Sequence, residues 1–126
     1  MLDAIRQESA IVAPKEACGL LFGDPREITG WQAVENVAEN PERRFEIAPA
    51  ALFAALRAER AGGARIAGYW HSHPSGDATP STTDAAMADA DGKLWLIVAG
   101  EDARLWRAEP DGPVHGRFRE VRVALD

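Results

Sequence analysis

At 126 residues and 13.6 kDa the chain is long enough for one domain with a sizeable core and too short for two. Hydrophobic residues at 46% and charged residues at 27% are globular proportions, which excludes disorder as the organising state. A formal charge of -6, a pI near 5.0 and scattered basic residues exclude nucleic-acid phosphate as a partner, because nonspecific affinity for it needs clustered Lys and Arg.

The single cysteine, Cys18, excludes an internal disulfide and a thiolate zinc ribbon, so a metal here must rely on His and carboxylate ligands. Asp3, Arg6 and Glu8 interrupt the stretch where a signal peptide needs unbroken apolar residues, and runs such as LWLIVA are strand-sized rather than membrane-spanning. A cytoplasmic location with no membrane partner is the expectation. The sequence leaves the oligomeric state unassigned.

Residues 2 to 13 put Leu2, Ile5 and Val12 on one helical stripe with Ile11 beside it, and Pro14 ends the segment. Ala17 to Asp24 is a mostly apolar run with a Gly-Asp-Pro stop, which predicts a buried strand. Ile28 to Val37 predicts a second strand, ending near Asn40-Pro41, and Arg44 to Ile47 a short third. Pro49 opens a helix with Leu52, Phe53 and Leu56 on one stripe, closed by Gly62-Gly63. Arg65 to His73 alternates as a strand, with Ala67, Tyr69, His71 and His73 on one face and Ile66, Gly68, Trp70 and Ser72 on the other. Ser81 to Ala90 predicts a helix, and Leu94 to Ala99, Arg104 to Ala108 and Val114 to Val123 complete the sheet. Turns are expected at Gly100-Glu101-Asp102 and Pro110-Asp111-Gly112-Pro113. The sum is a single-domain α/β fold over residues 1–126, a mixed sheet flanked by helices.

His71 and His73, spaced i, i+2 on one strand, project together, and Asp84 from the next element can close a tridentate set. Three protein ligands leave a coordination position for water, the mark of a catalytic zinc site rather than a structural one. Ser81 and Asp84 share a face at i, i+3 on the first helical turn. Taken alone, Ser81 reads as an N-cap, with Thr79 before Pro80 competing for that role, and Asp84 as a first-turn carboxylate favoured by the helix dipole. Asp77 competes with Asp84 as a ligand, though helix placement favours Asp84. Glu16 by itself is an ordinary carboxylate, Cys18 a small buried hydrophobe rather than a nucleophile, and His115 a solvated turn residue.

In combination, Glu16 and the run H-S-H-x7-S-x-x-D from His71 to Asp84 resemble the signature of the JAMM or MPN+ zinc metalloproteases. The flanking text PKEACGLLFG, ENVAENPERRFEI and GYWHSHP looks like the short bacterial Mec-type branch of that family, over roughly residues 14 to 100. The resemblance implies an MPN-like layered architecture related to that of cytidine deaminases. It implies His71, His73 and Asp84 as Zn2+ ligands, Glu16 as general acid and base, and Ser81 as an oxyanion helper. It further implies hydrolysis of a peptide or isopeptide bond after the C-terminal Gly-Gly of a ubiquitin-like sulfur-carrier protein. Ala48 departs from the Asp expected before Pro49 in many relatives, which removes a helix cap and leaves the site untouched.

Three rivals are set against that reading. A metal-free MPN-type binding scaffold would not need the intact ligand set. A zinc nucleobase deaminase would need H-x-E and P-C-x-x-C, which are missing. A deubiquitinase-like isopeptidase would need chain-gripping insertions for which 126 residues leave little room.

Overall fold

The computed structural model describes residues 1–125. In chain order the elements are α1 (Leu2–Val12), β1 (Cys18–Asp24), β2 (Glu27–Val34), α2 (Pro49–Arg60), β3 (Ile66–Ser72), α3 (Thr82–Met87), β4 (Leu94–Ala99), β5 (Asp102–Gly112), β6 (Gly116–Val121) and β7 (Ala124–Leu125). The strands form one mixed sheet in the order β6-β5-β4-β3-β1-β2-β7. Neighbours are antiparallel except β3 with β4 and β2 with β7, which are parallel.

Each helix is held by the stripe it buries. Ile5 of α1 is fully buried with Leu21, Trp70 and Leu96 on one face of the sheet. Ala55 of α2 packs with Leu20 and Ile66 on the other, flanked by Leu52 and Leu56. Ala85 and Ala88 meet a second cluster on that side, built on Trp95, Trp106 and Phe118. The layers are therefore α1, sheet, then α2 with α3. Two residues expected to pack do not: Phe53 is 60% exposed and Ile11 75% exposed. The stripes are narrower than their apolar content suggested.

Several boundaries differ from the sequence expectation, each with a local cause. Arg44 to Ile47 is not a strand, and only an isolated bridge between Asn36 and Ile47 survives there. β2 ends at Val34 because the chain beyond it turns to wrap Asn36. α3 stops at Met87 rather than Ala90, since Ala88 goes extended and enters the Trp95 cluster. β5 runs through the expected turn to Gly112, the register shifting between Ala108 and Gly112 around Pro110, which has no N–H to donate. The last expected strand accordingly begins at Gly116 and ends at Val121. A register shift between Leu21 and Phe22 also disturbs the alternation at the base of β3. As a result Ile66 packs with the α2 cluster and Ala67 with the Trp70 cluster.

As expected, α2 starts at Ala48 without a side-chain cap, and it ends where Gly62 turns to a φ of +92° while Gly63 N–H donates to Ala58 O.

Candidate metal centre

The sheet register decides which residues meet. β1 and β3 are antiparallel with Cys18 opposite His71, so the residues just before β1 lie beside those just after β3. Glu16 and His73 are thereby brought to one end of the sheet, at the carboxyl end of the parallel β3–β4 pair. His73 stands one residue past β3, yet its N–H still donates to Val98 O at 2.8 Å. Ser72, between the histidines, locks this junction: its hydroxyl accepts from Ala17 N–H at 2.8 Å while its own N–H donates to Ala17 O.

Three side-chain atoms converge there. His71 Nε2 lies 3.0 Å from His73 Nε2 and 3.2 Å from Asp84 Oδ2, and His73 Nε2 lies 3.1 Å from the same oxygen. His73 Nδ1 donates to the Asp77 carbonyl at 2.7 Å, so in the neutral ring its Nε2 carries a lone pair. His71 is fully buried, and burial lowers its pKa toward the neutral imidazole. Burial also opposes charge on Asp84, but hydrogen bonds from both histidines and from Ser81 N–H overcome it and hold the carboxyl well below the usual range. For His73, burial is likewise outweighed by Asp84 and the Asp77 carbonyl, which raise its pKa. A negative oxygen and two ring nitrogens pointed at one spot ask for a cation.

The donor set fits a metal ion. Ligands about 2.0 Å from a tetrahedral ion are about 3.3 Å apart, close to the triangle formed by His71, His73 and Asp84. Glu16 forms a looser set with the two histidines, its atoms within 4.8 Å of theirs. Either set could hold an ion, and the tighter one matches zinc bond lengths better.

Glu16 is 5% exposed, and its Oε1 has no hydrogen-bond partner among the described residues. Burial raises its pKa from 4.5 to about 7, with His73 opposing and Asp84 adding to the shift. Ser81 is the N-cap of α3 in a capping box: its hydroxyl accepts from Asp84 N–H and its N–H donates to Asp84 Oδ2, both at 2.9 Å. That resolves Thr79 out of the cap role. It also leaves the Ser81 hydroxyl hydrogen free to donate elsewhere. Glu16, His73 and Ser81 line one cavity of about 220 Å³. All five residues singled out in the sequence thus come together.

Others escaped sequence reading. Asn36 donates from Nδ2 to the carbonyls of Glu16 and Arg44 and accepts at Oδ1 from Ala38 and Glu46, tying the segment from 36 to 46 onto Glu16. Phe45 stacks on His71 with ring centroids 4.4 Å apart. Asp77 orients His73 through its backbone instead of competing as a ligand, and its side chain accepts from Thr79 N–H. His115, expected to be merely solvated, hydrogen-bonds through Nε2 to Pro80 O at 3.0 Å and so braces the residue before the cap. The spacing of Asn36 before a Pro-Glu-Arg-Arg turn was the one visible trace of this network.

The chain is similar to known proteins. A protein named Desampylase from Haloferax volcanii is 35% identical over 128 residues, covering 100% of this chain and 89% of that one. A "Probable TtuB-protein conjugate cleaving protease" from Thermus thermophilus is 32% identical over 102 residues, covering 81% of this chain and 67% of that one. The crystal structure of a JAB1/MPN domain protein from Archaeoglobus fulgidus superposes with a TM-score of 0.59 at 20% identity, over 98% of this chain and 92% of that one. Residues 1–109 match the family described as prokaryotic homologs of the JAB domain, and the chain belongs to that family.

Proposed function

We propose that the protein is a single-domain, cytoplasmic zinc peptidase that hydrolyses the bond after the C-terminal Gly-Gly of a ubiquitin-like sulfur-carrier protein. The observation that carries this reading is the convergence of His71, His73 and Asp84 at 3.0 to 3.2 Å beside the Ser81 hydroxyl and a buried Glu16 whose Oε1 has no hydrogen-bond partner among the described residues. The relatives support the substrate class, one being named a desampylase and another a protease of protein conjugates.

His71, His73 and Asp84 are the ligands in this reading. Zinc held by them would supply Lewis acidity, which lowers the pKa of water to about 7. Glu16, whose carboxyl is pushed up by burial in the metal-free protein, takes a proton from the attacking water and returns it to the departing amine. Ser81 donates its hydroxyl hydrogen to the oxygen that becomes negative as the carbonyl carbon turns tetrahedral. The C–N bond breaks, the carrier keeps its glycine carboxylate, and no covalent enzyme intermediate forms. Glycines suit the acyl side because they let backbone approach the site closely.

The test is mass spectrometry of a ubiquitin-like carrier from the same genome bearing one added C-terminal residue. The zinc-loaded enzyme should remove that residue. Glu16→Gln should keep about one zinc per chain yet lose on the order of 100-fold or more in rate. His71→Ala and Asp84→Ala should lose zinc and activity together. Full activity in protein with near-zero zinc overturns the metal mechanism, and efficient cutting of ubiquitin chains with the carrier left intact overturns the substrate in favour of a deubiquitinase-like isopeptidase.

A further inference from the structure

The reacting cavity shares Glu42, Arg43, Pro74 and Ser75 with a second one of about 530 Å³. The Arg43 backbone is fixed relative to the site, because Arg43 N–H donates to Asn40 O, Glu16 N–H donates to Pro41 O at 2.7 Å, and Asn36 clamps the carbonyls of Glu16 and Arg44. The Arg43 guanidinium has neither an ion pair nor a hydrogen bond among the described residues, although Glu42 lines the same opening. An unpaired guanidinium held at the rim of a hydrolytic cleft is a receptor for a carboxylate.

Which part of the substrate reaches it follows from where the proton must go. The departing amine has to lie against Glu16. Glu16 lines two cavities, and only the one shared with His73 and Ser81 contains the reacting groups. The residue being released therefore extends along that cavity toward Pro74, Ser75 and Arg43. An α-linked terminal residue carries its carboxylate two bonds from the departing nitrogen. A lysine side chain in an isopeptide carries only methylenes there.

We propose that Arg43 reads the free α-carboxylate of the released residue, so that the enzyme favours carriers extended by one α-linked amino acid over carriers joined to a protein lysine. This rests on the peptidase reading given above. Because Arg43 is exposed, the preference should weaken with salt.

The experiment compares three substrates with the zinc-loaded enzyme: a carrier from the same genome extended after Gly-Gly by one alanine, the same protein with that alanine amidated, and the carrier joined through Gly-Gly to the Nε of a lysine peptide. Wild type should cleave the free acid with a kcat/KM on the order of tenfold above the amide. R43Q should bring the acid down to near the amide, chiefly through KM, and R43K should restore part of the difference. R44Q serves as the control, since that side chain lines neither cavity and should keep the preference. Equal rates for acid and amide in wild type, or a preference that survives R43Q, overturns the assignment while leaving the peptidase reading intact. No cleavage of any of the three removes the peptidase reading, and this one with it.

Discussion

Glu16 and Cys18 stand two residues apart, and burial moves both acids in the same direction, yet the outcomes differ. Burial, with the Glu16 charge adding to it, pushes the Cys18 thiol up to about 12, so it remains a protonated core group at neutral pH. Iodoacetamide at pH 8 should leave native Cys18 unmodified by mass spectrometry and label it only after unfolding; rapid inactivation prevented by substrate would revive a thiol mechanism. Glu16 reaches only about 7. Its folded pKa lies above its ordinary 4.5, so the protonated carboxyl stabilises the folded, metal-free protein fully below pH 4.5, and that contribution is lost as pH rises through about 7. In chelator-treated samples the melting temperature of wild type should therefore fall between those pH values relative to Glu16→Gln, whose amide does not titrate. Parallel curves would show that burial costs this carboxylate nothing. The site residues were legible in the sequence because four of the five, His71, His73, Ser81 and Asp84, fall within one short run at fixed spacing. Phe45 and Asn36 were not, because one acts through ring stacking and the other through backbone carbonyls distant in sequence.

Among the elements, the least regular segment does the most positioning. The stretch from Asn36 to Glu46 has no helix or strand, and what shapes it is one amide side chain and the turn bonds at Asn40. Asn36→Ala removes the partner of several backbone groups, at a cost of roughly 1–3 kcal/mol. It should also lower kcat, because the Glu16 carbonyl loses its anchor. Calorimetry and steady-state kinetics on the same preparation check both, and unchanged kinetics would show that the turn holds itself. Gly68 is the counterpart inside the sheet: a Cβ there would collide with the Leu94 carbonyl across the β3–β4 pair. Gly68→Ala should destabilise by roughly 1–3 kcal/mol and displace the histidines that follow. The major helices and central strands could be read from periodicity. β7 could not, since two exposed residues pairing with Glu27 and Ile28 leave no pattern in the chain. Nor could the continuation of β5 through Pro110, which depends on a local register shift rather than on propensity.

At the level of the whole molecule, the site is where chain order is brought back on itself: the entry to β1 meets the exit from β3, and α3 crosses over to β4. No helix among the described residues is long and apolar enough to cross a membrane. The architecture leaves Asp84 with two duties on one atom, because Oδ2 accepts the Ser81 N–H that starts α3 and also faces both histidine nitrogens. The two duties are linked equilibria, so whatever an ion gains by binding is returned as resistance of this corner to local opening. α3 has only 6 residues and little stability of its own. Chelation should therefore accelerate hydrogen exchange at Ala85 and Ala88, whose amides donate to Ser81 O and Asp84 O, well before it touches the central strands. Exchange that is unchanged by chelation would show the cap to be independent of the ion. On the proposed zinc reading, the supply of the ion would set how long this corner of the chain resists a protease as well as whether the site works.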